Sequence, residues 1–202
     1  MSKLFVISAP SGAGKTSLVR ALLERRPQLV VCVSHTTRKP RAHEVDGRDY
    51  HFVSPGQFEA MVQQAAFLEH ARVFDNSYGT GASQVREQLA AGRDVVLEID
   101  WQGAQQVRRV MPECVTIFIL PPSRPALQQR LQQRRTDSAE TIARRLADAV
   151  TDMSHYREFD FVVVNDRFEQ AVVDLSAILD GRAETLRPDR ASLQPLIAQL
   201  LQ

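Results

Sequence analysis

A glycine-rich segment near the start of the chain, VISAPSGAGKTSL at residues 6–18, limits the fold more than any other stretch of the sequence. The apolar run at 4–9 predicts a short strand, and the leucine spacing at 17–26 predicts a helix that Pro27 ends. Glycines let successive backbone N–H groups point toward one spot, and the first turn of the helix adds its positive end. The segment therefore predicts an anion site at the end of a strand.

The same segment fits the phosphate-loop pattern G-x-x-x-x-G-K-[ST] except at its first position, where alanine replaces glycine. Alanine is compatible with that position wherever φ is negative. In this pattern the lysine reaches the β- and γ-phosphates of a nucleotide, and the hydroxyl of the last residue ligates Mg²⁺. The predicted phosphate-contacting residues are Ala9, Pro10, Ser11, Gly12, Ala13, Gly14, Lys15 and Thr16. The loop alone predicts a nucleotide and leaves the substrate open.

Apolar, β-branched runs alternate with helical patterns along the rest of the chain. Strands are predicted at 29–34, 94–100, 115–120 and 161–165, and helices at 83–91, 124–133 and 168–179. Capping signatures at 54–57 and 137–140 predict two more helices, which run through Val62 and Met153. Strands separated by helices favour right-handed βαβ units, which build a parallel sheet covered by helices on both faces. The fold class is therefore α/β. The stretch at about 36–81 breaks this rhythm with polar turns and short strands, and it is predicted to form a separate small lobe.

Composition excludes several classes of protein. The chain has 202 residues, 44% of them hydrophobic, and a formal net charge of +1. One domain with a sizeable core is expected, and the balanced charge argues against nucleic acid or a membrane surface as a partner. No apolar stretch is long enough for a signal peptide or a membrane span, so a cytoplasmic location is expected. Cys32 and Cys114 lack metal-ligand spacing, and Cys32 is expected to be a buried, reduced thiol.

Five further motifs follow the loop: SHTTRKPR at 34–41, FLEH at 67–70, SYGT at 77–80, EIDWQGAQQ at 98–106 and DSAETIARRL at 137–146. In this order and spacing, the chain resembles guanylate kinases, which phosphorylate GMP, over about 3–181. The resemblance implies the P-loop nucleoside monophosphate kinase fold with a five-stranded parallel core sheet. It places the core at about 3–33, 82–125 and 146–181, a small mixed α/β GMP-binding lobe at 34–81 and a helical lid at 126–145. The tail at 182–202 is not covered, and a short docked helix is expected there.

The predicted acceptor site combines hydrogen-bond donors with one carboxylate. Donors for the GMP phosphate are supplied by Arg38, Arg41, Tyr50 and Tyr78. Glu69 lies in an apolar run, where its carboxylate could accept from the N1–H and amine of guanine. Hydroxyls at Ser34 and Thr80 could donate to guanine O6. The resemblance adds Gly79, Glu98 and Asp100 to the GMP-binding set.

Asp100 follows an apolar strand, the usual place for an acid near Mg²⁺ or its waters. The alternative is that Asp100 caps the helix predicted to start near Gln102. Members of the family often carry aspartate where this chain has Glu98. Trp101 is expected to serve packing.

On the donor side, the resemblance implies that Arg130, Arg134 and Arg145 act with Lys15 on the transferring phosphoryl group. Arg135 departs from the family pattern, which usually has glycine there. The alternative interpretation of these arginines is a solvated helix face. The resemblance also places Asn165 beside the adenine of ATP.

The expected reaction is transfer of the γ-phosphoryl group of ATP to GMP, with dGMP as a compatible acceptor and Mg²⁺ as the cofactor. A phosphate monoester is already ionised near pH 7, so positioning and charge neutralisation can carry the catalysis without a base. One alternative is a related kinase for a ribosyl phosphate, which would leave Ser34, Glu69 and Thr80 without a role. The other is a non-catalytic binding module, which the intact Lys15 and Thr16 disfavour. A homo-oligomer is compatible with the sequence.

Overall fold

The computed structural model describes residues 2–42, 44–73, 75–133 and 139–202. Strands and helices alternate over these ranges. The strands are β1 (Leu4–Ser8), β2 (Leu29–Val31), β3 (His35–Thr36), β4 (His51–Phe52), β5 (Phe67–Val73), β6 (Asn76–Gly81), β7 (Asp94–Glu98), β8 (Val115–Leu120) and β9 (Phe161–Val164). The α-helices are α1 (Lys15–Arg25), α2 (Pro55–Gln63), α3 (Ala82–Ala90), α4 (Trp101–Val110), α5 (Arg124–Gln133), α6 (Ala139–Ser154), α7 (Phe168–Leu179) and α8 (Gln194–Leu200).

Five strands form one parallel sheet in the order β2-β7-β1-β8-β9, which confirms the predicted α/β class. In the parallel registers of β2 with β7 and β8 with β9, Leu29 pairs with Asp94 and Ile117 pairs with Phe161. All five residues of the central strand β1 are buried, as are five of the six in β8. Strands with both faces covered need such continuous apolar sequences, which is why these runs do not alternate with polar residues.

Four short strands form a second, mixed sheet in the order β4-β3-β6-β5. Strand β3 is parallel to β4 and antiparallel to β6, and β5 and β6 form an antiparallel pair. The register shifts between Phe67 and Glu69, so that Glu69 lies opposite Thr80. A bulge of this kind changes which side chains share a face. It places the predicted base-reading carboxylate beside a predicted hydroxyl.

Most element boundaries agree with the sequence patterns. Helices α5 and α7 have the predicted limits, and Ser54 begins α2 with the expected capping box. The strand predicted at 29–34 is too long, because β2 ends at Val31. Only the Cys32 N–H continues its pairing with β7, and the chain then leaves the sheet toward β3. The capping signature at 137–140 begins on residues outside the described ranges.

The chain divides into two compact units. The first contains the segment through Val6, Gln28–Leu97 and Gln102–Cys114, and it includes the mixed sheet. The second contains Ile7–Pro27, Glu98–Trp101 and Val115–Gln202, and it includes the glycine-rich loop.

The C-terminal segment is an integral part of the second unit. Leu193, Ile197 and Leu200 are buried, and the Arg187 guanidinium lies 4.6 Å from the ring centre of Phe161. The expected docked helix is confirmed as α8, where buried side chains recur every three to four residues. This segment therefore contributes to the core.

Cys32 and Cys114 are both buried, reduced thiols, as expected for Cys32. Burial raises the pKa of the Cys32 thiol to about 11, which keeps it protonated and unreactive near neutral pH. Among the described helices, none combines the length and the apolar character that crossing a membrane requires.

Leu200→Ala is expected to destabilise the protein by about 2–5 kcal/mol, because it would open a cavity at a fully buried position. Gln199→Ala is the control, since its side chain is exposed on the same helix. Urea unfolding of both variants measures the difference. Equal midpoints in the two variants would contradict the docked position of α8.

Candidate functional site

The glycine-rich loop leaves β1 and enters α1 through two left-handed positions. Gly12 has φ 90° and Gly14 has φ 94°. The Ala13 N–H donates to the Pro10 carbonyl at 3.1 Å, and the Leu18 N–H donates to the Gly14 carbonyl at 3.1 Å. Only glycine adopts such φ values without strain, so the two glycines determine this turn.

Space as well as φ requires glycine at these positions. A Cβ atom on Gly14 would collide with Nδ2 of Asn165. On Gly12, a Cβ atom would lie 3.0 Å from side-chain carbons of Leu127 and Leu131. The loop therefore packs directly on β9's carboxyl end and on α5, and larger residues would displace it.

The end of β7 contributes a carboxylate to this loop. The Thr16 hydroxyl donates to Oε2 of Glu98 at 3.1 Å, and Nζ of Lys15 lies 3.4 Å from the Ile99 carbonyl. The Ile99 N–H in turn donates to the Ile7 carbonyl at 3.3 Å. Glu98, expected from the resemblance to contact GMP, thus lies beside the predicted Mg²⁺ ligand Thr16. Hydroxyl and carboxylate oxygens are the ligand types that Mg²⁺ prefers.

Arg130 and Asn165 both contact the backbone of the glycine-rich loop at Ala13. Nδ2 of Asn165 donates to the Ala13 carbonyl at 2.7 Å, and Nη1 of Arg130 approaches the same oxygen at 3.4 Å. Nη2 of Arg130 donates to the Asn165 carbonyl at 2.9 Å. Arg145 lies on α6. The predicted Arg134 and the atypical Arg135 lie outside the described residues.

Asp100 directly precedes α4, the position that a capping residue occupies. Next to it, Trp101 stacks on His155 with ring centres 3.5 Å apart, as expected of a packing residue. The Trp101 indole donates to Asp152 at 3.2 Å. Burial, together with the nearby charge of Asp100, raises the pKa of Asp152 to about 6. This part of the second unit therefore concentrates negative charge.

In the first unit, the structure brings together three predicted base-reading residues. The Thr80 hydroxyl donates to Oε1 of Glu69 at 2.6 Å, and Ser34 Oγ lies 3.1 Å from Thr80 Oγ1. Because Thr80 has one hydroxyl proton and gives it to Glu69, Ser34 is the donor in the second bond. Glu69 is 3% exposed and Thr80 is fully buried. A carboxylate is held here in a dry, hydrogen-bonded setting.

The predicted phosphate donors also converge in the first unit. The Arg38 guanidinium lies 5.4 Å from the ring centre of Tyr50, and the interaction with Tyr78 helps to raise the pKa of Arg38. The two tyrosine rings are 5.9 Å apart in an edge-to-face arrangement. Planar guanidinium and phenol groups of this kind match the oxygens of a phosphate.

Glu44 belongs to this group of donors, although the sequence patterns did not single it out. Its carboxylate accepts from both terminal nitrogens of Arg38 at 2.8 and 2.9 Å and from the Arg41 N–H at 2.8 Å. Burial, the largest single influence, would lower the pKa of Arg38, but the hydrogen bond and charge of Glu44 together with Tyr78 outweigh it and raise the pKa. The only signal for Glu44 in the sequence is its distance of three and six residues from two arginines.

A cavity in the first unit lies away from the predicted base-reading and phosphate-binding residues. This cavity, of about 440 Å³, is lined by none of the predicted site residues. Its walls are formed by His35, Asp46, His51, Phe52, Val53, Gln57, Ala60, Met61 and Gln64. The ring centres of His35 and His51 are 4.6 Å apart with the rings tilted by 31°, and burial together with His51 lowers the pKa of His35. Candidate residues here are therefore identified by chemistry and contacts.

The strand, the glycine turn, the lysine and the following helix define a P-loop nucleotide-binding protein. Over residues 1–182 the chain matches the family model described as "Guanylate kinase". It is 58% identical to the guanylate kinase of Methylococcus capsulatus over 98% of this chain and 97% of that protein. Against the guanylate kinase of Escherichia coli K12 it is 52% identical, over 98% and 97% of the two chains. This protein belongs to the guanylate kinase family.

A solved structure supports the same assignment. The crystal structure of guanylate kinase from Anaplasma phagocytophilum matches with a TM-score of 0.74 and 31% sequence identity. The match covers 100% of this chain and 96% of the other. The fold expected from the resemblance is thereby confirmed.

Asp152→Asn is expected to change how stability depends on pH. Because folding raises this pKa from 3.8 to about 6, the folded state holds the proton more tightly than the unfolded chain. Stability therefore falls as pH rises through this window, and the asparagine variant should lack that fall. Above pH 6 the variant should be more stable by about 1–3 kcal/mol.

Urea unfolding between pH 4.5 and 7.5 provides this measurement. The control is Asp189→Asn, which also removes one negative charge, but from an exposed carboxylate in the C-terminal segment. If the free energy of unfolding of Asp152→Asn fell with pH as steeply as that of the wild type, burial of Asp152 would not govern the pH dependence.

Proposed function

We propose that this protein transfers the γ-phosphoryl group of ATP to GMP, giving ADP and GDP. Identities of 52% and 58% to the two guanylate kinases, each over 98% of the chain, support this activity over the alternative acceptors and binding module. The observation that carries the proposal is the buried hydrogen-bond chain of Ser34, Thr80 and Glu69 in a protein with a complete phosphate loop. A ribosyl phosphate would offer these groups nothing to bind.

Glu69 is the proposed reader of the base. Guanine presents its N1–H and its amine side by side as donors, whereas adenine has an acceptor nitrogen at the first position and no amine at the second. A buried carboxylate that can accept from both favours guanine, since adenine would leave it unpaired. In this proposal Ser34, Thr80 and the close strand position Gly79 complete the base site.

The acceptor phosphate is assigned to Arg38, Arg41, Tyr50 and Tyr78. The guanidinium of Arg38 already forms a two-point contact with a planar carboxylate, the geometry in which it would also bind phosphate. These contacts carry no information about the base. They therefore contribute affinity and position, while Glu69 contributes selectivity.

The donor site is assigned to Ala9–Thr16 with Asn165, and Lys15 is proposed to contact the transferring phosphoryl group. Thr16 and Asp100 would hold Mg²⁺ with the phosphates of ATP, directly or through water, and Glu98 is proposed to contribute to the nucleotide sites. Bound Mg²⁺ would neutralise charge on the phosphate oxygens. Among the described residues, no group of three or more histidine, cysteine or acidic side chains could hold a metal ion. Mg²⁺ is commonly held by one or two carboxylates and substrate phosphates, which fits this donor set.

Charge neutralisation by side chains is assigned to Arg130, Arg134 and Arg145. The acceptor phosphate is ionised near pH 7, so none of the residues needs to remove a proton. The core, GMP-binding lobe, lid and tail keep the sequence-derived limits in this proposal. A cytoplasmic location is also proposed, supported by two buried cysteines in the reduced thiol form, which suit a reducing compartment.

Lys15→Ala is expected to lower kcat by a factor on the order of 10² or more, because it removes a preorganised charge from the transferring group. GMP affinity should stay within about twofold, since Lys15 is assigned to the donor phosphates and GMP to the separate acceptor site. Coupled assays of ADP release and equilibrium binding of GMP measure the two effects. Lys3→Ala, which removes an exposed lysine, should behave as wild type. Normal turnover without the Lys15 side chain would refute the assignment of this loop.

Glu69→Gln is expected to reduce kcat/KM for GMP by about 2–4 kcal/mol, because the amide offers a donor where guanine presents donors. The ratio of kcat/KM for GMP to that for AMP should fall with it. Arg38→Ala should weaken both nucleotides together and leave their ratio near the wild-type value.

The same ADP-release assay, with GMP, AMP, dGMP and ribose phosphates as acceptors, compares these variants. An unchanged GMP to AMP ratio in Glu69→Gln would show that another group reads the base. Turnover of ribose phosphates in preference to GMP by the wild-type protein would overturn the proposed acceptor.

A further inference from the structure

The carbonyl oxygen of Ala13 lies at the centre of a small hydrogen-bond network behind the phosphate loop. It accepts from Nδ2 of Asn165 at 2.7 Å, and Nη1 of Arg130 approaches it at 3.4 Å. The amide orientation of Asn165 follows from chemistry, because a carbonyl can only accept. Ala13 itself is fully buried. The network therefore acts on the backbone of the loop.

Asn165 is held from two further directions. Its own N–H donates to the Leu120 carbonyl at 2.8 Å, at the carboxyl ends of β8 and β9. Its carbonyl accepts from Nη2 of Arg130 at 2.9 Å. With 5% exposure, the residue has little freedom to rotate. The side chain is thus a fixed link between the edge of the parallel sheet and the loop.

The adjacent glycine fits this link. A Cβ atom on Gly14 would collide with Nδ2 of Asn165, so the amide fills the space that any larger residue at position 14 would need. Removing the amide would leave a buried carbonyl with one weak partner and open space beside a left-handed turn. Both changes would loosen the backbone N–H groups that bind phosphate.

We propose that Asn165 is a positioning residue that holds the phosphate loop through the Ala13 carbonyl, and that it does not select the base of the nucleotide. This inference rests on the proposed donor site and refines the role of one residue in it. A residue that acts through the loop affects every ligand carrying the triphosphate to the same extent. A residue that reads adenine affects ATP alone.

Asn165→Leu tests the inference, since leucine keeps much of the buried volume and removes the amide. Affinities for ATP, GTP and inorganic tripolyphosphate, each with Mg²⁺, are measured by calorimetry. We expect each ligand that the wild-type protein binds to weaken about tenfold, the effect of losing one buried hydrogen bond. GMP affinity should change less than twofold. Asn76→Leu, on β6 in the other unit, is the matched control and should bind all ligands normally.

Hydrogen exchange of the phosphate-loop amides without any nucleotide gives a second readout. Exchange at residues 12–16 should become about tenfold faster in Asn165→Leu and stay unchanged in Asn76→Leu. Asn165→Ala provides the same readout if the leucine variant does not fold.

The inference would be overturned if the amides of residues 12–16 exchanged at the wild-type rate in either variant at position 165. It would also be overturned if the affinity for ATP fell while the affinity for tripolyphosphate stayed unchanged. A wild-type protein that forms no GDP from ATP and GMP would instead overturn the proposed function. The two failures are therefore distinguishable.

Discussion

The hydrogen bonds that converge on the Ala13 carbonyl hold the turn on which the donor site depends. Two left-handed glycines, Gly12 and Gly14 on either side of Ala13, would be free to adopt other conformations in an isolated peptide. Asn165 and Arg130 restrict that freedom by donating to the carbonyl of the residue between the two glycines. Their donors satisfy this buried acceptor. Packing from Leu127 and Leu131 closes the remaining space.

The acceptor group in the first unit solves a different physical problem, because it buries a carboxylate. Glu69 is tolerated at 3% exposure since Thr80 donates to it and Ser34 donates to Thr80. The register shift in β5 makes this pairing possible. A charge held in a dry setting responds strongly to which groups a ligand presents, and selectivity follows from that sensitivity.

Local sequence patterns predicted the element types and several boundaries because apolar periodicity and turn residues act over short distances. The limits of α5 and α7 and the capping box at Ser54 follow from such signals. The overlong strand at 29–34 shows the limit of this approach, since the chain leaves β7 after Cys32 to enter β3 of the second sheet. The sequence patterns also missed Glu44. A lone acidic residue in a polar loop has no periodic signal, and only folding of the loop brings it to Arg38.

The linear chain was sufficient to establish an α/β protein with a nucleotide loop between a strand and a helix, because glycine, lysine and apolar spacing express those features locally. Tertiary structure decided which groups share a hydrogen bond across 46, 82 or 152 residues, as in Ser34 with Thr80, Thr16 with Glu98 and Ala13 with Asn165. Such contacts depend on strand order and register. Those properties emerge only when the hydrophobic runs are buried together, since each run alone is compatible with several partners.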